Sequence, residues 1–433
     1  MCYNIKELYE KFVQFPFICT DTRKIRPNCL FFCLKGDNFD GNLFVDEAIE
    51  KGAKYVISDM RYAICDIRYD KSQISNLTSH ISNSIILVED VLTTLQQLAN
   101  YHRKQLKIPI IGITGTNGKT TTKELIASVL SKKYKTAYTK GNLNNHIGVP
   151  LTLLSIKNED EIAVIEMGAN HTGEIEELCQ IAQPDYGLIT NIGKAHLEGF
   201  GTIENIIETK TALYRAAQTV FVNGEDETMR EKAEYKNVIF YGKNTNISAT
   251  ITEMNPYLAI NLFGNKIQTQ LTGNYNLPNI LGAAAVGQFF KVSEKDICDA
   301  IAEYSPQNNR SQIIKNETNT IIADYYNANP SSMKAALDNF LQIKAPQKLA
   351  ILGDMLELGE NSLNEHQTII DFCISENLET IFIGTNFLLL KNENAKFFIN
   401  VDDCNHYLKN NKIENKFILL KGSRGIFLEN ILL

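Results

Sequence analysis

Short apolar runs alternate with longer stretches of 3.6-residue periodicity along most of the chain. Ile110 to Thr114, Ile162 to Met167, Gly187 to Thr190 and Val220 to Asn223 have the length of buried strands. The segments between them space apolar residues three and four apart, as in Leu125, Ile126, Val129 and Leu130. Strands alternating with helices predict a mostly parallel sheet covered on both faces, a doubly wound central domain. Two helical patterns, Asn279 to Phe290 and Glu294 to Tyr304, close that domain. A second alternating series, Thr320 to Ala323, Leu349 to Leu352, Ile381 to Gly384 and Phe417 to Leu420, predicts a C-terminal Rossmann-like α/β domain. The first hundred residues read as a smaller α/β unit: a turn at Asp37-Asn-Phe-Asp-Gly41, a helical pattern ending at Gly52, the strand Tyr55-Val-Ile57, and a polar helix from Thr93 to Lys104. Lys107-Ile-Pro109 and Ser305-Pro-Gln-Asn-Asn309 break the pattern, because proline restricts the residue before it. The expected domains are therefore 1–104, 105–305 and 306–433.

Composition agrees with that division. At 433 residues the chain suits about three domains of roughly 150 residues each, and 44% hydrophobic with 21% charged residues is ordinary for folded globular proteins. Its 43 basic and 50 acidic residues leave a net charge of −7, which argues against a general nucleic-acid-binding surface and leaves room for a local basic pocket. Nine cysteines, an odd number without paired metal-ligand spacing, read as free thiols in a reducing compartment. Cys29 and Cys33 lie in the apolar run Cys-Leu-Phe-Phe-Cys and read as small buried hydrophobes. The N-terminus is charged at once, unlike a signal peptide, and no apolar run reaches the roughly 18 residues of a membrane span. A cytoplasmic address, without membrane insertion, is expected.

The sharpest motif is Ile111-Gly-Ile-Thr-Gly-Thr-Asn-Gly-Lys-Thr-Thr-Thr122, between a strand pattern and a helix pattern. Small residues there let backbone N–H groups converge on phosphate oxygens at a positive helix N-terminus. Lys119 would meet β/γ-phosphate charge and the Thr120 hydroxyl would reach Mg²⁺. The loop departs from strict G-x-x-x-x-G-K-T, since Ile113 stands where the first glycine belongs, so an ordinary glycine-rich turn is the competing reading. Glu166 ends an apolar run, where it is either a magnesium partner or a solvated strand-end carboxylate. His196 follows Thr190-Asn-Ile-Gly-Lys-Ala195 and is, taken alone, either a ligand or a structural loop histidine. Lys210 shares a helical stripe with Ile206, Ile207, Leu213 and Tyr214. Such a lysine either snorkels at the stripe's edge or has a buried task.

Taken together, these residues resemble the Mur ligase family, ATP-dependent amide-forming enzymes of peptidoglycan assembly. Thr114-Gly-Thr-Asn-Gly-Lys-Thr120, Glu166-Met-Gly-Ala-Asn170, Asn191-Ile-Gly-Lys-Ala-His-Leu-Glu198 and Lys210 follow the family's order and spacing along essentially the whole chain. Gly141-Asn-Leu-Asn-Asn-His-Ile-Gly-Val-Pro150, Asp324-Tyr-Tyr-Asn-Ala-Asn-Pro-Ser-Ser-Met333 and Leu352-Gly-Asp-Met-Leu-Glu-Leu-Gly359 resemble the members that add D-alanyl-D-alanine to UDP-N-acetylmuramoyl-tripeptide. Thr20-Asp-Thr-Arg23 and Gly36-Asp-Asn-Phe-Asp-Gly41 resemble the stretches that hold the UDP-sugar. Asn42 and Tyr275 stand where the family commonly has histidine, while Asn276 and Asn279 of its adenine segment are present.

The resemblance implies a route in which ATP converts the acceptor carboxylate to an acyl phosphate, which the incoming amine attacks. The nucleotide site it implies comprises Gly115, Thr116, Asn117, Gly118, Lys119, Thr120, Thr121, Asn276, Asn279, Arg310 and Asp324, with Asp324 on the ribose. Lys119 and Arg310 would neutralise phosphate charge. One Mg²⁺ is expected between Thr120, Glu166 and the β/γ-phosphates. A second is expected at His196 and a carbamylated Lys210, between the γ-phosphate and the acceptor carboxylate. Thr22, Arg23, Asn144 and Asn145 are the candidates for the UDP-tripeptide; Asp354, His366, Ser423 and Arg424 are those for the dipeptide, with Arg424 suited to its carboxylate. A monomer is expected. The alternatives are a sibling adding the preceding amino acid, a folylpolyglutamate synthase on the same core, and a P-loop kinase or nucleotide-binding switch.

Overall fold

The computed structural model describes residues 4–60, 84–233, 236–307 and 309–433. Cys2 and Cys65 lie outside them. The chain divides into two compact units: residues 1–112, 135–167 and 176–185 form the first, and residues 113–134, 168–175 and 186–433 the second.

In the first unit, Ile18–Cys19, Leu30–Phe32, Tyr55–Asp59 and Ile85–Val88 make a parallel sheet in that order. Its strands carry apolar residues on both faces, as parallel strands covered by helices must. Cys19, Cys29, Phe31, Cys33, Val45, Ala48, Ala53 and Val56 build the core of one side, so Cys29 and Cys33 are the buried hydrophobes expected of them. The helix Val91–Gln105, capped by Asp90, is less polar in place than its composition suggests. It buries Val91, Leu95, Leu98 and Ala99, and in its last turn His102 and Arg103. Arg103 is held by Asp185 at 2.9 Å and by the carbonyls of Ala182 and Gln183. The same unit contains the parallel pair Thr136–Tyr138 and Ile162–Glu166, and there the Ala163 N–H donates to the Pro109 carbonyl at the foot of the strand Ile110–Thr114.

The last two residues of that strand belong to the second unit, where Thr114 accepts from the Thr190 N–H. Tyr186–Ile189, Thr219–Asn223 and Asn237–Tyr241 run parallel beside one another. Helices Lys119–Ser131, Ile203–Ala216 and Leu277–Phe289 belong to this unit, and the last is apolar nearly all round. A three-stranded antiparallel sheet, Ala249–Met254, Tyr257–Leu262 and Asn265–Thr272, follows, a feature absent from the sequence reading. Its first strand is exposed along nearly all its length and so shows no apolar run to read.

Further on in the same unit, six strands stand in the order Gln312–Lys315, Thr320–Asp324, Phe417–Lys421, Lys348–Gly353, Thr380–Ile383 and Lys396–Phe398. The first is antiparallel and the others parallel. Helices Pro330–Gln342 and Ser362–Ser375 bury Met333, Leu337, Phe340 and Ile370 on one face. Val401–Leu408 buries Val401, Cys404 and Leu408 on the other. This two-sided cover is the Rossmann-like arrangement expected from the alternating pattern.

Candidate active site

The strand Ile110–Thr114 is followed by a tight loop and then by the helix Lys119–Ser131, whose N-cap Gly118 is left-handed at φ 78°. Only glycine enters that conformation without strain. Gly115 is constrained further: at φ 145°, a Cβ there would stand 1.9 Å from Thr190 Oγ1. The loop is thus drawn tightly against the segment after Tyr186–Ile189. Asn191 accepts from the Asn117 N–H through its side chain (3.0 Å) and returns a bond to the Asn117 carbonyl (2.9 Å). Thr190 Oγ1 donates to the same carbonyl at 2.6 Å, and Thr116 Oγ1 accepts from the Gly193 N–H at 3.0 Å. With the loop held so, the N–H groups at the start of the helix form a pre-shaped anion cradle, those of Thr116 and Asn117 being already bonded to Asn191.

Two lysines converge on one carbonyl of this loop. Lys119 Nζ donates to the Gly115 carbonyl at 2.8 Å and to that of Thr116 at 3.0 Å. Lys210 Nζ donates to the Gly115 carbonyl at 3.2 Å and lies 5.7 Å from the Phe200 ring centre. Lys210 is only 2% exposed, which excludes snorkelling at an edge. Burial, reinforced by the Lys119 charge and opposed by Glu174, pulls its amine down from the usual lysine value to about 7.

Beneath the loop, Thr122 donates to Asn279 Oδ1 at 3.1 Å, Asn279 donates to Asn276 Oδ1 at 2.9 Å, and Asn276 donates to the Thr272 carbonyl at 2.8 Å. The two asparagines therefore tie the phosphate loop's helix to the start of Leu277–Phe289. Asn279→Ala should strand the Thr122 hydroxyl and the Asn276 carbonyl oxygen and lower stability by about 1–3 kcal/mol. Urea unfolding would measure it, and an unchanged midpoint would show the chain of bonds to be dispensable. Tyr275, in place of histidine, lies against Gly273 and shares a 3.0 Å hydrogen bond with Ser311. Its phenol is pushed up to about 12, mainly by burial.

The C-terminal part of the same unit meets the loop directly. Asn329 caps the helix Pro330–Gln342 in a reciprocal capping box with Ser332. Its Nδ2 donates to Asn117 Oδ1 at 2.8 Å, while Asn117 Nδ2 donates to Ser331 Oγ at 3.2 Å. The Arg310 guanidinium stacks 3.7 Å from the centre of the Tyr326 ring, with the exposed Arg424 guanidinium 5.7 Å from the same ring. Asp324 is engaged by Lys421 at 2.8 Å and by the Ser311 N–H at 3.2 Å. Asp354 is buried and accepts from the Asn386 and Phe387 N–H groups, capping a short helix. His366 is fully buried: its Nε2 accepts from the Met355 N–H and its Nδ1 lies 2.7 Å from the Ser362 carbonyl, so the neutral ring carries its proton on Nδ1. Burial depresses its pKa. Ser423 Oγ accepts from the Leu356 N–H at 3.0 Å. Of the four dipeptide candidates, Arg424 alone is exposed, and the other three brace the loops around it.

His196, itself left-handed at φ 49°, places Nδ1 2.5 Å from Glu357 Oε2. The Glu357 carboxyl is held below its usual range chiefly by His196. Among the described residues no three His, Cys, Asp or Glu side chains gather as a metal site. Sparse protein ligation suits Mg²⁺, which is bound through one or two protein oxygens with waters and phosphates completing its shell. Thr120, 3% exposed at the helix start, carries a hydroxyl oxygen that would fit such a shell.

In the first unit, Glu166 is 1% exposed and accepts from Asn144 Nδ2 at 2.8 Å, which excludes a solvated strand-end carboxylate. Asn145 Oδ1 accepts from the N–H groups of Ile147 and Gly148, starting the helix Gly148–Leu154. Thr22 and Arg23 lie on a single 3₁₀ turn capped by Asp21, and Arg23 pairs bidentately with Asp21 while remaining exposed. Asn42 is buried and accepts from Ser58 Oγ and the Asp59 N–H, fastening the Gly36–Gly41 turn to the strand Tyr55–Asp59.

Three family models match consecutive stretches: the Mur ligase family catalytic domain at 14–103, the Mur ligase middle domain at 113–287, and the Mur ligase glutamate ligase domain at 309–424. A protein of Bacillus subtilis (strain 168), UDP-N-acetylmuramoyl-tripeptide–D-alanyl-D-alanine ligase, is 34% identical over 432 residues, spanning 96% of this chain and 92% of its own length. The chain belongs to the Mur ligase family. Its fold matches a crystal structure of MurF from Acinetobacter baumannii with a TM-score of 0.84 and 30% identity, covering 96% of this chain and 92% of that one. It also matches MurF ligase from Thermotoga maritima in complex with ADP, with a TM-score of 0.79 and 27% identity, covering 95% of both chains.

As a Mur ligase the chain consists of three α/β domains and uses ATP. No helix among the described residues is long and apolar enough to cross a membrane. The sequence reading passed over Lys421, and saw Asn191, Tyr326, Asn329, Ser331 and Glu357 only as parts of motifs. For Asn329 a signal existed: Asn-Pro-Ser-Ser is a helix N-cap followed by proline at the first helical position.

Proposed function

We propose that this Mur ligase joins D-alanyl-D-alanine to UDP-N-acetylmuramoyl-tripeptide at the expense of ATP, forming the pentapeptide precursor of peptidoglycan in the cytoplasm. The observation that carries the reading is full-length likeness to ligases of that name, on a chain whose phosphate loop is intact and braced. The sibling that adds the preceding amino acid and the folylpolyglutamate synthase are not favoured. The domains follow the sequence breaks, 1–104 for the UDP-sugar, 105–305 for ATP and 306–433 for the dipeptide, and the enzyme acts as a monomer.

An amide forms from a carboxylate only after the carboxylate oxygen has been made a leaving group. Transfer of the γ-phosphoryl to the acceptor carboxylate gives an acyl phosphate. The dipeptide amine attacks its carbonyl carbon, loses a proton and expels inorganic phosphate. Lys119 and the N–H groups at the helix start hold phosphate oxygens, and Arg310, held over the Tyr326 ring, supplies charge to the transferring group. Asp324 receives the ribose, Asn276 and Asn279 set the adenine side, and Arg424 receives the dipeptide carboxylate. In the second unit Thr120, His196 and Lys210 are the residues that would hold Mg²⁺, whose charge would offset that of the phosphates; Glu166 is the candidate oxygen ligand of the first unit.

Lys210 would do so as a carbamate. Its amine attacks the carbon of CO₂ and releases a proton, so a buried cation becomes an anionic oxygen ligand. Two ammonium groups on one carbonyl repel each other, whereas a carbamate beside Lys119 forms an ion pair.

Released ADP should require both the UDP-tripeptide and D-alanyl-D-alanine, with mass spectrometry showing one new amide per ADP. Equal ADP release with either substrate omitted would refute the ligase reading.

A further inference from the structure

The strand Gln312–Lys315 pairs with Thr320–Asp324 so that Gln312 stands opposite Ala323, which brings Ser311, one residue earlier, level with Asp324. The Ser311 N–H therefore finds the Asp324 side chain, with Oδ1 at 3.2 Å. The other oxygen of that carboxylate is taken by the buried Lys421 at 2.8 Å. Ser311 is left-handed at φ 54° and Asn309 at φ 57°. Arg310 is thus carried between two residues in a conformation that non-glycine residues keep only where their surroundings enforce it. Its own side chain does little to fix it: Nε is buried without a hydrogen-bond partner among the described residues, and the guanidinium rests on the Tyr326 ring. Where that charge points is set largely by the backbone at Ser311. A second clamp on Ser311 comes from the segment on the adenine side. Gly273, at φ 80°, leaves open the space that the Tyr275 ring fills, since a Cβ there would stand 2.3 Å from Tyr275 Cε1. Packed so, the ring presents its hydroxyl to Ser311 Oγ at 3.0 Å.

We propose that Tyr275 is a positioning residue for Arg310: its hydroxyl, through Ser311, holds the backbone from which the guanidinium projects. One continuous path then joins the phosphate-loop helix to the arginine. Thr122 bonds Asn279, Asn279 bonds Asn276, the next residue along the chain from Asn276 is Tyr275, and Tyr275 bonds the residue that follows Arg310. A charge that acts on a transferring phosphoryl group is effective only in the right place, and a misplacement of about 1 Å can cost about 10²-fold in rate. The hydroxyl is one of two bonds on Ser311, so its loss should loosen the arginine without freeing it. This inference rests on the reading of Arg310 as the residue that supplies charge to the transferring group, and its test separates the two.

Tyr275→Phe keeps the ring over Gly273 and removes only the hydroxyl, and Ser311→Ala removes the other end of the same bond. In the full-length enzyme, each should lower kcat about tenfold and leave KM for ATP within about twofold, because the arginine's charge is needed in the transition state and not for nucleotide binding. Thermal melting would show that both variants are folded. In Arg310→Ala, itself slowed, adding Tyr275→Phe should cost nothing further, since no guanidinium is left to misplace. An unchanged kcat in either single variant would overturn the positioning role. So would a loss that lies in KM for ATP, which would assign Tyr275 to the adenine, or a further tenfold loss from Tyr275→Phe in the Arg310→Ala background, the behaviour of a hydroxyl that only supports the fold. Full turnover in Arg310→Ala would instead overturn the reading of Arg310 itself.

Discussion

Lys210→Ala should lower ligase turnover by about 10²- to 10³-fold, the scale of removing one preorganised charge from a transition state, while the protein stays folded. A short carboxylic acid added to the assay should restore part of the rate, because the space left by the side chain admits an anionic oxygen donor. Full activity in the variant, or an unmodified amine at this residue in a high-resolution magnesium-nucleotide structure, would sink the carbamate. The same lysine gives stability a definite pH dependence. In the folded state its amine loses its proton near pH 7, because of burial and then of Lys119, whereas the unfolded chain keeps it to about 10.4. Between those values the unfolded state binds more protons, so the stability of the uncarbamylated protein rises with pH across this window and is insensitive to this group below it. Urea unfolding in CO₂-free buffer should show that rise in the unaltered protein and lose it in Lys210→Met. Equal slopes would mean that the buried ammonium is not felt.

Lys119→Ala should also cost about 10²- to 10³-fold in turnover, through lost stabilisation of phosphate charge. Its second consequence is specific to this site. With the neighbouring ammonium gone, one cause of the depressed Lys210 amine disappears, and that amine should titrate above about 7. The carbamate signal from ¹³CO₂, followed against pH, should therefore move to higher pH in the variant. An unchanged profile would show that burial alone sets the Lys210 amine, and an unchanged turnover would remove Lys119 from the phosphate site.

Much of the fold could be read along the chain because its parallel strands are buried on both faces. Ile110–Thr114, Thr219–Asn223 and Phe417–Lys421 are therefore continuous apolar runs, recognisable without knowing their neighbours. The antiparallel sheet from Ala249 to Thr272 was missed because its first strand is exposed and its last alternates, so that the short buried run Leu258-Ala-Ile260 of the middle strand stood without flanking runs to mark a sheet. The phosphate loop was legible for a related reason. Its glycines, lysine and threonines are contiguous, and the backbone needs of a phosphate cradle are met within a dozen residues. Lys210 was marked as anomalous by its stripe, but only tertiary structure decided that it is buried and shares the Gly115 carbonyl with Lys119.

The chain by itself therefore determined the kind of elements, their order and the cradle, all of which depend on local spacing and on which residues shun water. Tertiary structure decided the partners. Asn329 reaches Asn117 across 212 residues, Tyr326 stands beneath Arg310, and Glu357 faces His196. Asp354 and His366 are occupied in holding loops. A polar side chain has the same composition and spacing whether it meets a ligand or a distant backbone N–H. Which of the two satisfies it is settled when burial removes water and each remaining donor must find an acceptor in the folded chain.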